Sequence, residues 1–258
     1  MQKYKEPSKN FGYWIYRIIH PFIDPIRFVR AFYEYVRYLN NWIQYSQNAH
    51  SEPLHIVNAY PCLYDRISSS PFDRHYFYQD IWAFKNIVNS KPKKHVDIGS
   101  RIEVSGFLST IVPVEFVDLR PLNVDLHSFT SKKGDITALP YKDNSVKSLS
   151  CLHVAEHIGL GRYGDVLNSR GTHIATQELQ RILAKGGNLF FSLPVGIPRV
   201  CFNAHRIHLP QQITNYFSSL KLIEFSGIND DGKFVKNAKL STFAQYDYAC
   251  GLFWFKKV

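Results

Sequence analysis

From residue 94 onward the chain alternates short apolar runs with amphipathic segments, and this alternation restricts the fold more than any other feature. The runs HVDIG (95–99), VEFVDLR (114–120), a weaker VDLHSF (124–129), VKSLSCLHV (146–154) and NLFFSLPV (188–195) read as strands. KLIEFSGI (221–228) and YACGLFWFKK (248–257) close the series. Helical patterns separate them: a short one after Arg101, HIATQELQRILAKGG (173–187) with a glycine stop, and LPQQITNYFSSL (209–220). Strands that alternate with helices require right-handed crossovers and a mostly parallel sheet covered on both faces. The last two strands have no good helix between them, so they are expected to pair antiparallel at an edge. The expected fold is therefore α/β and Rossmann-like: a mostly parallel seven-stranded sheet with an antiparallel edge strand.

An N-terminal helical extension precedes this core. Pro21 and Pro25 divide residues 1–50 into a short aromatic segment and one amphipathic helix over about 24–47. Val29, Phe32, Val36, Leu39 and Ile43 recur at helical spacing beside an aromatic stripe of Phe28, Tyr35, Tyr38 and Trp42. Arg27, Arg30, Glu34, Arg37 and Gln44 take the opposite face. Such a helix packs on its own domain, pairs with a twin subunit, or lies on an anionic bilayer. Residues 51–90 read as a linker with turn signals and a leading helix, Tyr76 to Asn89, and 91–258 as the α/β domain.

The bulk properties exclude several classes. No apolar run reaches the ~18 residues of a membrane span, and the N-terminus carries no secretory h-region. Cys62, Cys151, Cys201 and Cys250 are widely spaced, as in a reduced, cytoplasmic protein rather than a disulfide or zinc-knuckle framework. The net charge of +10 comes from scattered Lys and Arg, without any of the spacings that mark a nucleic-acid module. It suits an anionic small molecule or a membrane surface, the latter placing the chain at the inner face of the membrane.

Chemistry-bearing residues gather where the expected strands end. Ligands in open α/β sheets bind outside the carboxyl ends of the strands. Asp97 and Gly99 end the first strand, and Asp118, 21 residues beyond Asp97, ends the second. A carboxylate at that place accepts hydrogen bonds from ribose hydroxyls. Asp135 stands in a following turn, GDI. His153, Glu156 and His157 follow the fourth strand, and then the glycine-rich GLGRYGD, with Arg162 and Tyr163 set to bind an anion and stack on a ring. FNAHRIH adds Asn203, His205 and Arg206 from a neighbouring strand end. H-x-x-E-H also marks inverted zinc peptidases, but that chemistry needs a regular helix, which the glycine after His157 opposes. A pair of His205 and His208 is a second metal option, and the preferred reading holds no metal. His157 is the first candidate for general acid–base work, Glu156 its orienting acid, and His153 the second candidate.

HVDIGS, VEFVDLR, GDITALPYKDNSVKSLSCLHVAEH and ELQRILAKGGNLFFSLP resemble the successive motifs of class I methyltransferases that use S-adenosylmethionine. HVDIGSRIEVSGFLS, LHVAEHIGLGRYGD and FNAHRIH are similar to a little-characterised bacterial group of such domains, met among surface-polysaccharide biosynthesis genes. The resemblance covers about residues 91–258. It implies S-adenosylmethionine as cofactor, with Asp97, Gly99, Ser100 and Arg101 around its methionine part, Asp118 on the ribose, and Asp135 and Ile136 on the adenine. It implies methyl transfer to a hydroxyl or similar nucleophile of a small molecule or glycan precursor. The glycine loop departs from the family's D-x-G-x-G-x-G, since Arg101 stands where a glycine is expected. Arg101 then either grips the methionine carboxylate or turns the site toward a phosphorylated or nucleotide-sugar ligand. A third reading is a non-catalytic partner of a glycan-assembly complex.

Overall fold

The computed structural model describes residues 24–258, in two compact units that divide after Phe72. The aromatic segment expected before Pro21 lies outside the described residues.

In the first unit, α1 (Pro25–Ser46) starts where the proline ring suits a first helical turn, with Asp24 as cap accepting from the Arg27 amide at 3.0 Å. Glu34 pairs with Arg37 at 2.6 Å. The segment after α1 folds back along it: Tyr64 donates its hydroxyl to the Arg27 carbonyl, and the Arg27 and Arg30 guanidinia lie over the Tyr64 ring. Phe28, Val29, Phe32, Val36, Leu39 and Ile43 remain exposed. Among the described residues, no helix is long and apolar enough to cross a membrane.

The second unit is a three-layer α/β structure. Its strands are β1 (His95–Ile98), β2 (Val114–Asp118), β3 (Phe129–Lys133), β4 (Val146–Leu152) and β5 (Leu183–Val195), then β6 (Arg199–Cys201) and β7 (His205–Ile207). β8 (Lys221–Ile228), β9 (Phe234–Val235) and β10 (Ala249–Lys256) complete them. The large sheet runs β3-β2-β1-β4-β5-β10-β8-β9, eight strands rather than seven, and β6-β7 form a separate hairpin. β3 through β5 pair parallel.

Helices α2 (Arg74–Asn89) and α3 (Ile102–Leu108) bury Trp82, Ala83, Ile87 and Leu108 in the core on one face. On the other face α4 (Gly171–Ile182), α5 (Pro210–Tyr216) and α6 (Leu240–Phe243) contribute Leu179, Ile182, Ile213 and Phe243 to a larger core. There Phe191, Phe217, Phe253 and Phe255 meet ring to ring. Two filled apolar layers bury the central strands on both faces, and the polar residues within them, His95, Asp97, Ser148 and Ser150, bond to one another.

Three expectations need correcting. The antiparallel strand β10 is not at the edge, since it pairs with β5 on one side and β8 on the other, and the edge belongs to the two-residue β9. The strand expected over 124–129 lies at Phe129–Lys133. Val124 and Leu126 are exposed, and the strand itself is a polar edge ending in Lys132 and Lys133, which apolar content cannot locate. The helix expected to run to its glycine stop ends at Ile182, and β5 starts at once. Gly186 and Gly187 form an irregularity inside β5, where they exchange hydrogen bonds with Lys257.

The strand order reverses between β1 and β4, which leaves a crevice at their carboxyl ends.

Candidate functional site

Two adjoining clefts occupy that crevice. The first, about 120 Å³, is lined by Ile98, Gly99, Val117, Asp118, Gly134, Ile136, Val154 and Ile158 among others. The second, about 360 Å³ and more polar, is lined by Tyr76, Ser100, Arg101, Glu156, Arg162, His205 and Tyr248 among others. Gly99, His153, His157 and Tyr163 line both.

The first cleft owes its shape to Gly99. Its φ of +63° lies in the left-handed region that glycine adopts at little cost. A Cβ there would stand 3.3 Å from both Asp118 Oδ2 and a Val154 methyl, so a side chain would fill the space beside the carboxylate. Asp118 accepts from the Arg120 amide at 2.8 Å, which fixes its carboxylate at the end of β2. Ile136 lines the wall below it. At the rim, Arg120 lies 5.0 Å from the centre of the Tyr163 ring.

Several residues expected on the cofactor lie elsewhere. Asp97 is fully buried and lines neither cleft; its carboxylate accepts from the Ser100 amide at 3.0 Å and from the Ser150 hydroxyl. It braces the turn from below, and burial pushes its carboxyl up to about 6. Ser100 and Arg101 face the second cleft. Arg101 is drawn there by Asp80 at 3.4 Å, Glu103 at 3.3 Å and the Tyr76 ring, so its guanidinium is not in the first cleft. Asp135 is exposed and holds its own turn by accepting from the Thr137 amide and hydroxyl.

The second cleft centres on the end of β4. His153 has φ +56°, unusual for a residue with a side chain, and a one-turn 3₁₀ segment, Ala155–His157, follows. No regular helix carries the H-x-x-E-H residues, in keeping with Gly159 two positions past His157. Glu156 is fully buried, neither carboxyl oxygen has a hydrogen-bond partner, and burial raises it to about 8, so it is protonated at neutral pH. His157 Nδ1 lies 2.6 Å from the Ala204 carbonyl, which can only accept. That nitrogen carries the proton, and Nε2 presents its lone pair 3.7 Å from Glu156 Oε1. Burial lowers the His157 imidazole to about 4, so it is uncharged at neutral pH.

The glycine-rich loop is a braced strap rather than an open lid. The Asp165 carboxylate accepts from the amides of Gly159 at 2.6 Å and Tyr163 at 3.2 Å. Arg206, expected to touch substrate, is buried under the strap and donates to the carbonyls of Ile158 at 2.5 Å and Asn168 at 2.9 Å. Arg162 and Tyr163 line the second cleft as expected of a substrate contact, with Arg162 5.1 Å from the Tyr163 ring centre. Asn203 is exposed and lines neither cleft. His205 lines the second cleft against Tyr248, while His208 turns toward Gln212 and Tyr216, so these two histidines do not converge on a metal. Strand geometry explains the divergence, because residues three apart point to opposite faces.

The strap gives a direct test of its bracing. At Gly159, φ +79°, an added methyl would run into the Asn168 carbonyl. Gly159→Ala is expected to cost about 2–5 kcal/mol, the left-handed strain of about 1–2 plus about 1–3 for the clash. Gly164→Ala, φ +83° with open space around it, should cost only the conformational term of about 1–2 kcal/mol. Thermal melts of the two variants check the difference, and equal losses would show that the strap is not anchored at Asn168.

Tyr76, Tyr248 and Gln79 carry no signal in the sequence that marks them as site residues. Tyr76 and Gln79 lie inside a helical pattern and Tyr248 at the start of an apolar strand, so only the tertiary fold brings the two tyrosines to the second cleft and sets the buried Gln79 behind His153.

A family model described as a Caenorhabditis protein of unknown function, DUF268, matches residues 140–256. No curated protein matches. Among solved structures the chain is similar to the [4+2]-cyclase SpnF, at 11% identity and a TM-score of 0.53 over 75% of this chain and 85% of that one. It is similar also to the N-methyltransferase NodS from Bradyrhizobium japonicum WM9 in complex with S-adenosyl-L-homocysteine, at 13% identity and a TM-score of 0.49 over 84% and 97% of the two chains. At such identity the SpnF likeness shows the fold.

Proposed function

We propose that the chain transfers a methyl group from S-adenosylmethionine to a hydroxyl of a polar small molecule or glycan precursor. The observation that carries this reading is the fixed tautomer of His157 where the two clefts meet. An uncharged imidazole, held by the Ala204 carbonyl on one nitrogen, turns an open lone pair toward the polar cleft. The residues of the first cleft fit the cofactor: Gly99 leaves room for close backbone approach, Asp118 offers a ribose acceptor, and Ile136, Val154 and Ile158 offer an apolar wall. When bound there, the cofactor supplies an electrophilic methyl group. His157 Nε2 takes the hydroxyl proton as the acceptor oxygen attacks, and the buried, protonated Glu156 keeps the pocket beside it free of negative charge. Arg162 and Tyr163 orient the acceptor, the first as a hydrogen-bond donor and the second as a ring surface. The glycan-precursor part of the reading is supported by the resemblance of the strap and FNAHRIH motifs.

A second reading, a phosphorylated or nucleotide-sugar ligand, is favoured by Arg101 and Arg162 lining one cleft. A thermal melt separates the two. S-adenosyl-L-homocysteine at ~100 times its dissociation constant should stabilise the protein by ~2.7 kcal/mol, a shift of about 5–10 °C for a chain of this size. Asp118→Ala is expected to abolish the shift. No shift at millimolar ligand would sink the methyl-transfer reading in favour of the phosphorylated ligand.

A further inference from the structure

Three ligating side chains that the acid–base reading leaves unused converge from different elements. His75 lies in the first turn of α2, His153 at the end of β4 and Cys250 in β10, and one ligand atom from each lies within 4.8 Å of the others. We propose that His75, His153 and Cys250 bind a divalent metal ion of the zinc class.

The strongest support is the state of His153. Its Nδ1 stands 2.5 Å from Gln79 Oε1 and 3.4 Å from Ser192 Oγ. The Gln79 amide is itself oriented, since its Nε2 donates to Asp80 at 3.1 Å and its Oε1 accepts from Ser192. Oε1 therefore faces His153, Nδ1 must carry the proton, and Nε2 must present a lone pair. That Nε2 is buried and has no hydrogen-bond partner. A carbonyl on one nitrogen and an open lone pair on the other is the arrangement by which proteins hold metal-bound imidazoles. An orphaned buried nitrogen is otherwise a cost of about 1–3 kcal/mol.

Two imidazole nitrogens and a thiolate form a borderline-soft donor set, suited to zinc rather than magnesium or calcium. On binding, the Cys250 thiol proton leaves to solvent as the metal–sulfur bond forms. Tetrahedral ligation needs donor separations of about 3.3–3.6 Å, from bond lengths of ~2.0 Å to nitrogen and ~2.3 Å to sulfur. The three donors, within 4.8 Å of one another, must draw together on binding, with His75 moving from its stack on Tyr248 in the first turn of α2. The ion would tie α2, β4 and β10 together beside the second cleft and remove His153 as a base, leaving that role to His157. This site does not depend on methyl transfer.

The test uses the full chain, stripped with chelator and titrated with cobalt(II). One equivalent should bind, giving tetrahedral visible bands and a thiolate-to-cobalt charge-transfer band that zinc then removes. The charge-transfer band should vanish in Cys250→Ser and persist in Cys62→Ser and Cys201→Ser. Should Cys250→Ser fail to fold, His75→Ala decides: it should weaken cobalt binding by at least about tenfold at a near-unchanged melting temperature. The absence of a charge-transfer band in the parent protein, its survival in Cys250→Ser, or unchanged affinity in His75→Ala would each overturn the proposal.

Discussion

His157→Ala is expected to slow methyl transfer by about 10²–10⁴-fold at saturating cofactor, the range a positioned general base contributes. The expectation follows from one hydrogen bond. Ala204 fixes the proton on Nδ1, so the whole basic capacity of the ring sits on Nε2, toward the second cleft. Because burial lowers the imidazole to about 4, the ring stays in its proton-accepting form across the neutral range. The rate should therefore be flat around neutrality, fall as pH approaches 4, and change on the alkaline side as Glu156 ionises near 8. The melting shift with S-adenosyl-L-homocysteine should survive in the variant, which separates loss of the base from loss of the cofactor cleft. A variant that loses both together would make His157 a wall of the first cleft rather than a base.

Glu156→Gln is expected to stabilise the protein at alkaline pH. The folded carboxyl is raised to about 8, against an ordinary value near 4.5. A group raised in this way contributes its full stability below the unfolded value and loses it as pH rises through the folded one. At pH 8 the parent chain thus bears an ionisation penalty on the order of a few kcal/mol, which the neutral amide lacks. Near pH 4 the two proteins should melt alike, and at pH 8 the variant should melt several degrees higher. Equal melting at both would mean that Glu156 is ionised in the cleft and does not act as a neutral acid. At the acid end another set of groups takes over in both proteins. His95, between the Ser148 and Ser150 hydroxyls, is held down to about 3 by burial, and His157 and His208 to about 4. Their neutral forms contribute stability above the unfolded value near 6.5, and that contribution fades as pH falls toward 4.

The parts of the fold visible in the sequence were those in which burial alone dictates residue type. β1, β2, β4 and β10 are buried over most of their length, β8 over its second half, and all five lie within a residue or two of the runs that mark them. β3 escaped because a polar edge strand has one buried residue at its start, Phe129, and two lysines at its end. The α4 boundary escaped because ILAKGG continues a helical pattern, and only pairing with β4 and Lys257 turns it into strand. The candidate site was legible in part for a related reason. Strand-end acids and the His/Glu/Gly run are local in sequence, and the fold places Gly99, Asp118, Ile136, His153, Glu156, His157, Arg162, Tyr163 and His205 around two clefts. Which polar residue faces a cleft and which braces the backbone depends on hydrogen-bond partners far along the chain. Asp97 finds Ser150, Arg206 finds Asn168, and neither pairing leaves a trace in local spacing.

The interior position of β10 affects how this protein must be made. A ribosome-bound chain that has emerged only as far as residue 248 holds two half-sheets, each with a naked backbone edge on β5 or β8. Those edges are templates for intermolecular pairing until the last strand inserts as a zipper between them. Nascent chains stalled before β10 should therefore aggregate or recruit chaperones far more than chains released just after it.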